Sequence, residues 1–118
     1  MAYVLRMKDA KGENLPEGGS RALVLSEQMG AKELGGFFIV KPPGSWSRYH
    51  YHKKRESVWF VLEGEIEATI DEKTQKVGAN TLVFTPPGHK HKLTVVGDRE
   101  LKMIEFFTHP EPDMIYVE

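Results

Sequence analysis

From Phe37 onward the chain carries a strand signal about every ten residues, each closed by a turn signal, and this punctuation limits the folds open to it. Strands are predicted over 37–41, 46–52, 57–62, 65–70, 75–77, 81–85, 91–96 and 101–108. The turns between them include Pro42-Pro43-Gly44, Glu63-Gly64, Pro86-Pro87-Gly88 and Gly97-Asp98. Residues 26–36 have room for one helical turn, because Gly30, Gly35 and Gly36 interrupt anything longer. Short strands at even spacing without a long helix predict an all-β sandwich or barrel. Ahead of this block, 3–7 reads as a weak edge strand, 8–20 as a loop and 21–25 as a short strand. Behind it, 114–117 reads as an edge strand or a segment that docks on a partner.

Side chains of a strand alternate between its two faces. In 65–70 this puts Ile66, Ala68 and Ile70 inward. By contrast 58–62, Val-Trp-Phe-Val-Leu, is apolar on both faces, as expected of a strand with a core on one side and a second sheet or subunit on the other. In 46–52 the same parity sends His50 and His52 to one face together with Trp46 and Arg48, and sends Tyr49 and Tyr51 to the other. Two imidazoles on one face can grip one metal ion. Ser57, Trp59 and Val61 share the inner face of the next strand. The expected cavity is then a mostly apolar cup, lined by Trp46, Arg48, Ser57 and Trp59, of a kind suited to small ligands.

With 118 residues the chain fits one domain, and 40% hydrophobic residues supply a core. The absence of cysteine excludes disulfides, thiolate catalysis and cysteine-type zinc sites, so any metal must be held by histidine and carboxylate. Sixteen Lys and Arg against seventeen Asp and Glu give a net charge of −1, which favours neither nucleic acid nor an anionic membrane as a partner. No apolar run approaches the roughly 18 residues of a membrane span, and the first residues lack the apolar region of a signal peptide. A cytoplasmic protein acting on a small molecule is the expectation.

Two stretches, Gly44 to Gly64 with His50, His52 and Glu56, and Pro86-Pro87-Gly88-His89-Lys90-His91, together resemble the paired motifs of the cupin superfamily. Gly44, His50, His52 and Gly64 match the first motif; Pro86, Gly88 and His91 match the second. The resemblance covers residues 36–110, leaving 1–35 as an N-terminal extension with edge strands and 111–118 as a C-terminal segment. It implies a double-stranded β-helix, the jelly-roll barrel of two antiparallel sheets, with one divalent transition metal held by His50, His52 and His91. The family's glutamate falls on Ser57, and Glu56 sits one residue early. Either the turn at Lys53-Lys54-Arg55 is tighter and Glu56 still reaches the metal, or the site has three histidines. Asn80 and Val95 also depart from the pattern, away from ligation. Three imidazoles suit Fe, Mn, Ni, Cu or Zn, and their protonation should empty the site below about pH 6.

The resemblance implies a mononuclear metal-dependent enzyme, dioxygenase-like, acting on a small oxygenated or anionic molecule. A cupin isomerase or lyase, or a non-catalytic sugar-like binding module, remains the alternative. Arg48 is the candidate for a substrate carboxylate or phosphate, because its planar fork pairs bidentately. Glu105, between Ile104 and Phe106, is either a structural acid or a pocket acid of raised pKa. Lys53, Lys54 and Arg55 read as a solvated basic hairpin, and His89 as a turn residue or backup ligand. The two-faced strand and the aromatic content predict a homodimer.

Overall fold

The computed structural model describes residues 2–109 and 113–117. Among the described residues eleven strands follow in order: β1 (Glu13–Asn14), β2 (Ser20–Leu25), β3 (Leu34–Lys41), β4 (His50–His52), β5 (Ser57–Glu63), β6 (Glu65–Ile70), β7 (Lys73–Val77), β8 (Thr81–Thr85), β9 (His91–Val96), β10 (Leu101–Thr108) and β11 (Met114–Tyr116). The only helical pieces among the described residues are single 3-10 turns at Met7–Asp9 and Glu27–Met29. None is long and apolar enough to cross a membrane. The strands form two antiparallel sheets, one in the order β1-β2-β3-β10-β5-β8 and one in the order β11-β4-β9-β6-β7. This is an all-β sandwich, as the strand spacing predicts, in the jelly-roll arrangement that the family resemblance implies.

The alternation of apolar residues sets what each sheet buries. In the second sheet Ile66 pairs with both Val77 and Val95 in a row that is apolar throughout, and Ala68 pairs with Leu93, while its other partner, Gln75 on the edge strand β7, is exposed. In the first, Met103 stands between Ile39 and Val61. These residues join Trp59 and Leu101 in one core between the sheets, where Val61, Ile66, Leu101 and Met103 have no exposed surface. The core fills one end of the sandwich and leaves the other open as a cup, floored by Ile39, Trp59, Leu93 and Met103.

Two local expectations change, and a third is resolved in favour of the edge strand. Residues 3–7 form no strand; they run over the outer side of β2, where the Tyr3 hydroxyl donates to the Val24 carbonyl at 2.6 Å. The expected strand 46–52 is regular only at β4. Ahead of it the chain still follows β9, with Ser47 N donating to the Leu93 carbonyl and the Ser47 hydroxyl accepting from Leu93 N, both at 2.9 Å. Trp46 and His50 are four positions apart, while their partners Thr94 and His91 are three positions apart. One extra residue therefore intervenes, and it reverses the parity on which Trp46 was placed inward. The third concerns 114–117: β11 pairs with β4 of its own chain, Met114 opposite His52 and Tyr116 opposite His50.

Truncating Ile66 to Ala should lower unfolding free energy by about 2–5 kcal/mol, read from the urea midpoint, because the side chain is wholly enclosed by three strands. A change below about 1 kcal/mol would show that the two sheets do not pack on this residue.

Candidate metal centre and its cup

His50 and His52 share the inner face of β4, and His91 opens β9 directly opposite His50. Their ring centroids lie 4.3 Å apart for His50 and His91, 5.1 Å for His50 and His52, and 5.5 Å for His52 and His91. One nitrogen from each ring falls within 4.8 Å of the other two, and all three residues are buried. The turn before β9 is tied to β4 from behind: Gly88, at φ 83°, donates its amide to the His52 carbonyl at 2.7 Å. A side chain would strain this conformation.

The hydrogen bonds orient the rings. Nδ1 of His50 lies 2.7 Å from the Arg48 carbonyl, and Nδ1 of His91 lies 3.1 Å from the His89 carbonyl. A carbonyl only accepts, so each Nδ1 carries the proton and each Nε2 presents its lone pair. Nε2 of His91 and Nδ1 of His52 are buried without a hydrogen-bond partner among the described residues. Buried polar atoms of this kind normally find one. Three converging imidazoles, two of them with a buried orphaned nitrogen, fit a divalent transition metal, which is the group that satisfies several lone pairs at once.

Electrostatics keep these rings neutral. Burial lowers the pKa of His50, and it pushes His52 down to about 4 and His91 down to about 3; the Arg55 charge and the neighbouring rings act in the same direction. The expectation that occupancy falls below about pH 6 moves lower, because protons compete with metal only where the folded rings accept them.

The cup has a volume of about 350 Å³. Arg48 lines it and stacks its guanidinium 3.5 Å over the Tyr116 ring. Trp59 lines it too, with its ring 5.5 Å from that of His91 and Nε1 donating to Glu105 Oε2 at 3.4 Å. Glu105 also faces the cup; burial raises its pKa, while the Arg55 charge and the Trp59 hydrogen bond oppose the rise.

Other expected site residues lie elsewhere. Trp46 is 47% exposed and outside the cup, for the reason of parity given above. Ser57 is on the inner face of β5 but buried between its cross-strand partners Thr85 and Phe107, outside the cup lining, with its hydroxyl lacking a partner among the described residues. Glu56 is exposed, facing a surface depression with Lys54 and Thr108, and does not join the histidines. Its backbone exchanges bonds with Thr108, which fixes the turn in the longer form and Glu56 on the outer side. His89 is likewise turned outward, paired with Asp71.

Four charged cup residues escaped the sequence reading. Arg55, assigned to a solvated hairpin, is 8% exposed; its guanidinium stacks 4.0 Å from the Phe107 ring and its Nε donates to the His109 carbonyl at 3.3 Å. Lys41, 4% exposed, donates from Nζ to the carbonyls of Gly18 and Trp46. Its inward parity with Phe37 and Ile39 was available in the sequence. Glu17 and Arg21 reach the cup from the N-terminal hairpin, and no local signal announces that. Together Arg21, Lys41, Arg48 and Arg55 face Glu17 and Glu105, so the cup is cationic in a chain of net charge −1.

Residues 37–109 match the family model of the Cupin domain. The chain is a cupin. Among curated relatives it is 26% identical over 117 residues to polyketide synthase CurC of Streptomyces cyaneus, covering 98% of this chain and 76% of that one. Among solved structures it superimposes on the polyketide cyclase RemF of Streptomyces resistomycificus with a TM-score of 0.87 at 20% identity, covering 100% of this chain and 87% of that one. An RmlC-like cupin from Shewanella frigidimarina superimposes with a TM-score of 0.81 at 20% identity, covering 96% of each chain. At these identities the solved structures share the fold, and the chemistry must be argued from the site.

Replacing His50 or His91 with Ala should abolish stoichiometric binding of Zn, Ni or Fe, measured by elemental analysis after dialysis; unchanged metal in the variants would refute the site. In the same assay the unaltered cupin should hold its metal through pH 6 and release it as pH falls through about 4 and then about 3. The metal-free fold should be fully stable above the ordinary histidine value near 6.5 and weaken below it, because the unfolded chain takes up the protons first.

Proposed function

We propose that this cupin is a metal-dependent enzyme that isomerises, cyclises or cleaves a small anionic carbonyl compound by proton transfer. The observation that carries this reading is Glu105, a carboxyl of raised pKa in the same cup as the three histidines and joined to them through Trp59. A divalent metal at His50, His52 and His91 would supply Lewis-acid polarisation of a carbonyl oxygen. Arg48 and Arg55 supply positive charge for the substrate's anionic group, and the stacking of each guanidinium on an aromatic ring holds its plane. Glu105 then takes a proton from the carbon next to the carbonyl and returns it elsewhere, with Trp59 Nε1 fixing the carboxyl. The apolar floor of Ile39, Leu93 and Met103 limits water at the reacting carbon.

Similarity to proteins described as a polyketide synthase and a polyketide cyclase agrees with chemistry on enolisable carbonyls. The dioxygenase-like alternative needs a metal with open positions and no such proton carrier. Anaerobic incubation of metal-loaded protein with acetylacetone and oxaloacetate in D2O separates them by NMR. Enzyme-dependent deuterium exchange or decarboxylation is expected, slowed about 100-fold in Glu105→Gln with metal content intact. Turnover that requires dioxygen and survives Glu105→Gln would establish the oxygenase instead.

We further propose a homodimer through the outer face of the first sheet. Cross-strand rows on that face are apolar, Phe38-Ile104-Phe60-Leu82 and Phe106-Val58-Phe84, and Leu82, Phe84 and Phe106 are exposed. Sedimentation velocity at micromolar concentration should show a dimer that Leu82→Glu dissociates; a monomeric native protein would contradict it.

A further inference from the structure

The residues that match the family model end at 37 and 109, yet the cup does not. Leu15, Pro16, Glu17 and Arg21 wall it from one flank, and Met114 and Tyr116 from the other. The N-terminal wall is firmly seated. Leu15 N donates to the Gly19 carbonyl at 2.9 Å and Gly18 N to the Leu15 carbonyl at 3.1 Å, closing the hairpin between β1 and β2. Lys41 Nζ donates to the Gly18 carbonyl at 3.1 Å. Gly19, at φ 82°, rests so closely on β3 that a Cβ there would lie 2.7 Å from the Lys41 Cα. Glu17 is thus presented to the cup by a loop held at both ends.

One oxygen of that carboxylate, Oε2, is inaccessible to solvent and has no hydrogen-bond donor among the described residues. Lys41 is the neighbouring cation, and Glu17 supports its charge, but its ammonium is directed at the carbonyls of Gly18 and Trp46. A negative charge here also works against the cup's other residues, since it repels the anion that Arg48 and Arg55 would attract. An acceptor without a donor, in a cup otherwise built for anions, is explained if the ligand brings the donor.

Building on the functional reading above, we propose that Glu17 is a specificity-determining residue: it accepts a hydrogen bond from a hydroxyl group on the ligand, so that the cup selects a hydroxylated organic anion over its deoxy counterpart. The anionic end of such a molecule lies against Arg48 and Arg55, and its hydroxyl reaches the hairpin wall. Flanking chain, rather than the matched domain, would then set which anion is taken.

The test is calorimetric titration of the metal-loaded 118-residue chain with butyrate and with 2-, 3- and 4-hydroxybutyrate. Native protein should prefer the best hydroxybutyrate to butyrate by about tenfold, the worth of one hydrogen bond to a charged acceptor. Glu17→Ala should erase that preference while butyrate binds as well or better. Glu17→Gln, which keeps an acceptor oxygen but loses its charge, should retain part of it, and thermal unfolding of both variants verifies that they fold. Equal affinities in the native protein, or a preference that survives Glu17→Ala, would overturn the assignment and leave the anion reading standing. A stronger preference for 4-aminobutyrate, lost in Glu17→Ala, would overturn the hydroxyl in favour of an ammonium. No binding of any of these anions would refute this inference together with the functional reading beneath it.

Discussion

Three imidazoles buried against one another, with one nitrogen each of His52 and His91 unpartnered among the described residues, are the constraint from which the site follows. Such a cluster is unfavourable as a set of neutral rings and worse as cations, which is why burial and mutual repulsion drive the histidine pKa values down. The fold holds it in place through backbone geometry. His50 and His91 face each other as a cross-strand pair, and the carbonyls of Arg48 and His89 hold their Nδ1 protons away from the centre.

Around this centre the charges are distributed unevenly. The molecule as a whole is nearly neutral, yet the cup gathers four cationic side chains and two carboxylates. Two of those cations, Arg48 and Arg55, are braced over the rings of Tyr116 and Phe107. Rigid cations beside a metal centre recognise a small anion at a lower ordering cost than mobile ones would. Glu105 and Glu17 divide the remaining polar work, one deep beside Trp59 and one on the hairpin wall.

Much of this was legible in the sequence because strand periodicity is strict. The parity of His50-Tyr51-His52 placed both imidazoles on one face, and the Pro-Gly turn before His91 marked where the third would enter. Periodicity fails where the count of residues changes between paired strands. Trp46 left the inner face because one extra residue intervenes before His50. Arg55 was misread for a related reason: it sits in a turn, where no parity exists to say that its side chain folds back over Phe107. Glu17, Arg21 and Tyr116 lie in flanks whose relation to the cup is purely tertiary, so no local pattern reveals them. The question of Glu56 or Ser57 was posed correctly by the sequence. Pairing of β5 with β10 and β8 leaves Glu56 outside and Ser57 buried, and the described cluster has three histidines.

The central claim is that these histidines hold one metal ion at the base of a cationic cup. Anomalous diffraction from crystals of the metal-loaded protein, recorded on either side of the absorption edge of the bound metal, tests it most directly. A single anomalous peak within about 2.0–2.3 Å of one nitrogen from each of His50, His52 and His91, with no protein carboxylate in the shell, is the expected result. A peak elsewhere, or a shell that includes Glu56, would contradict the account.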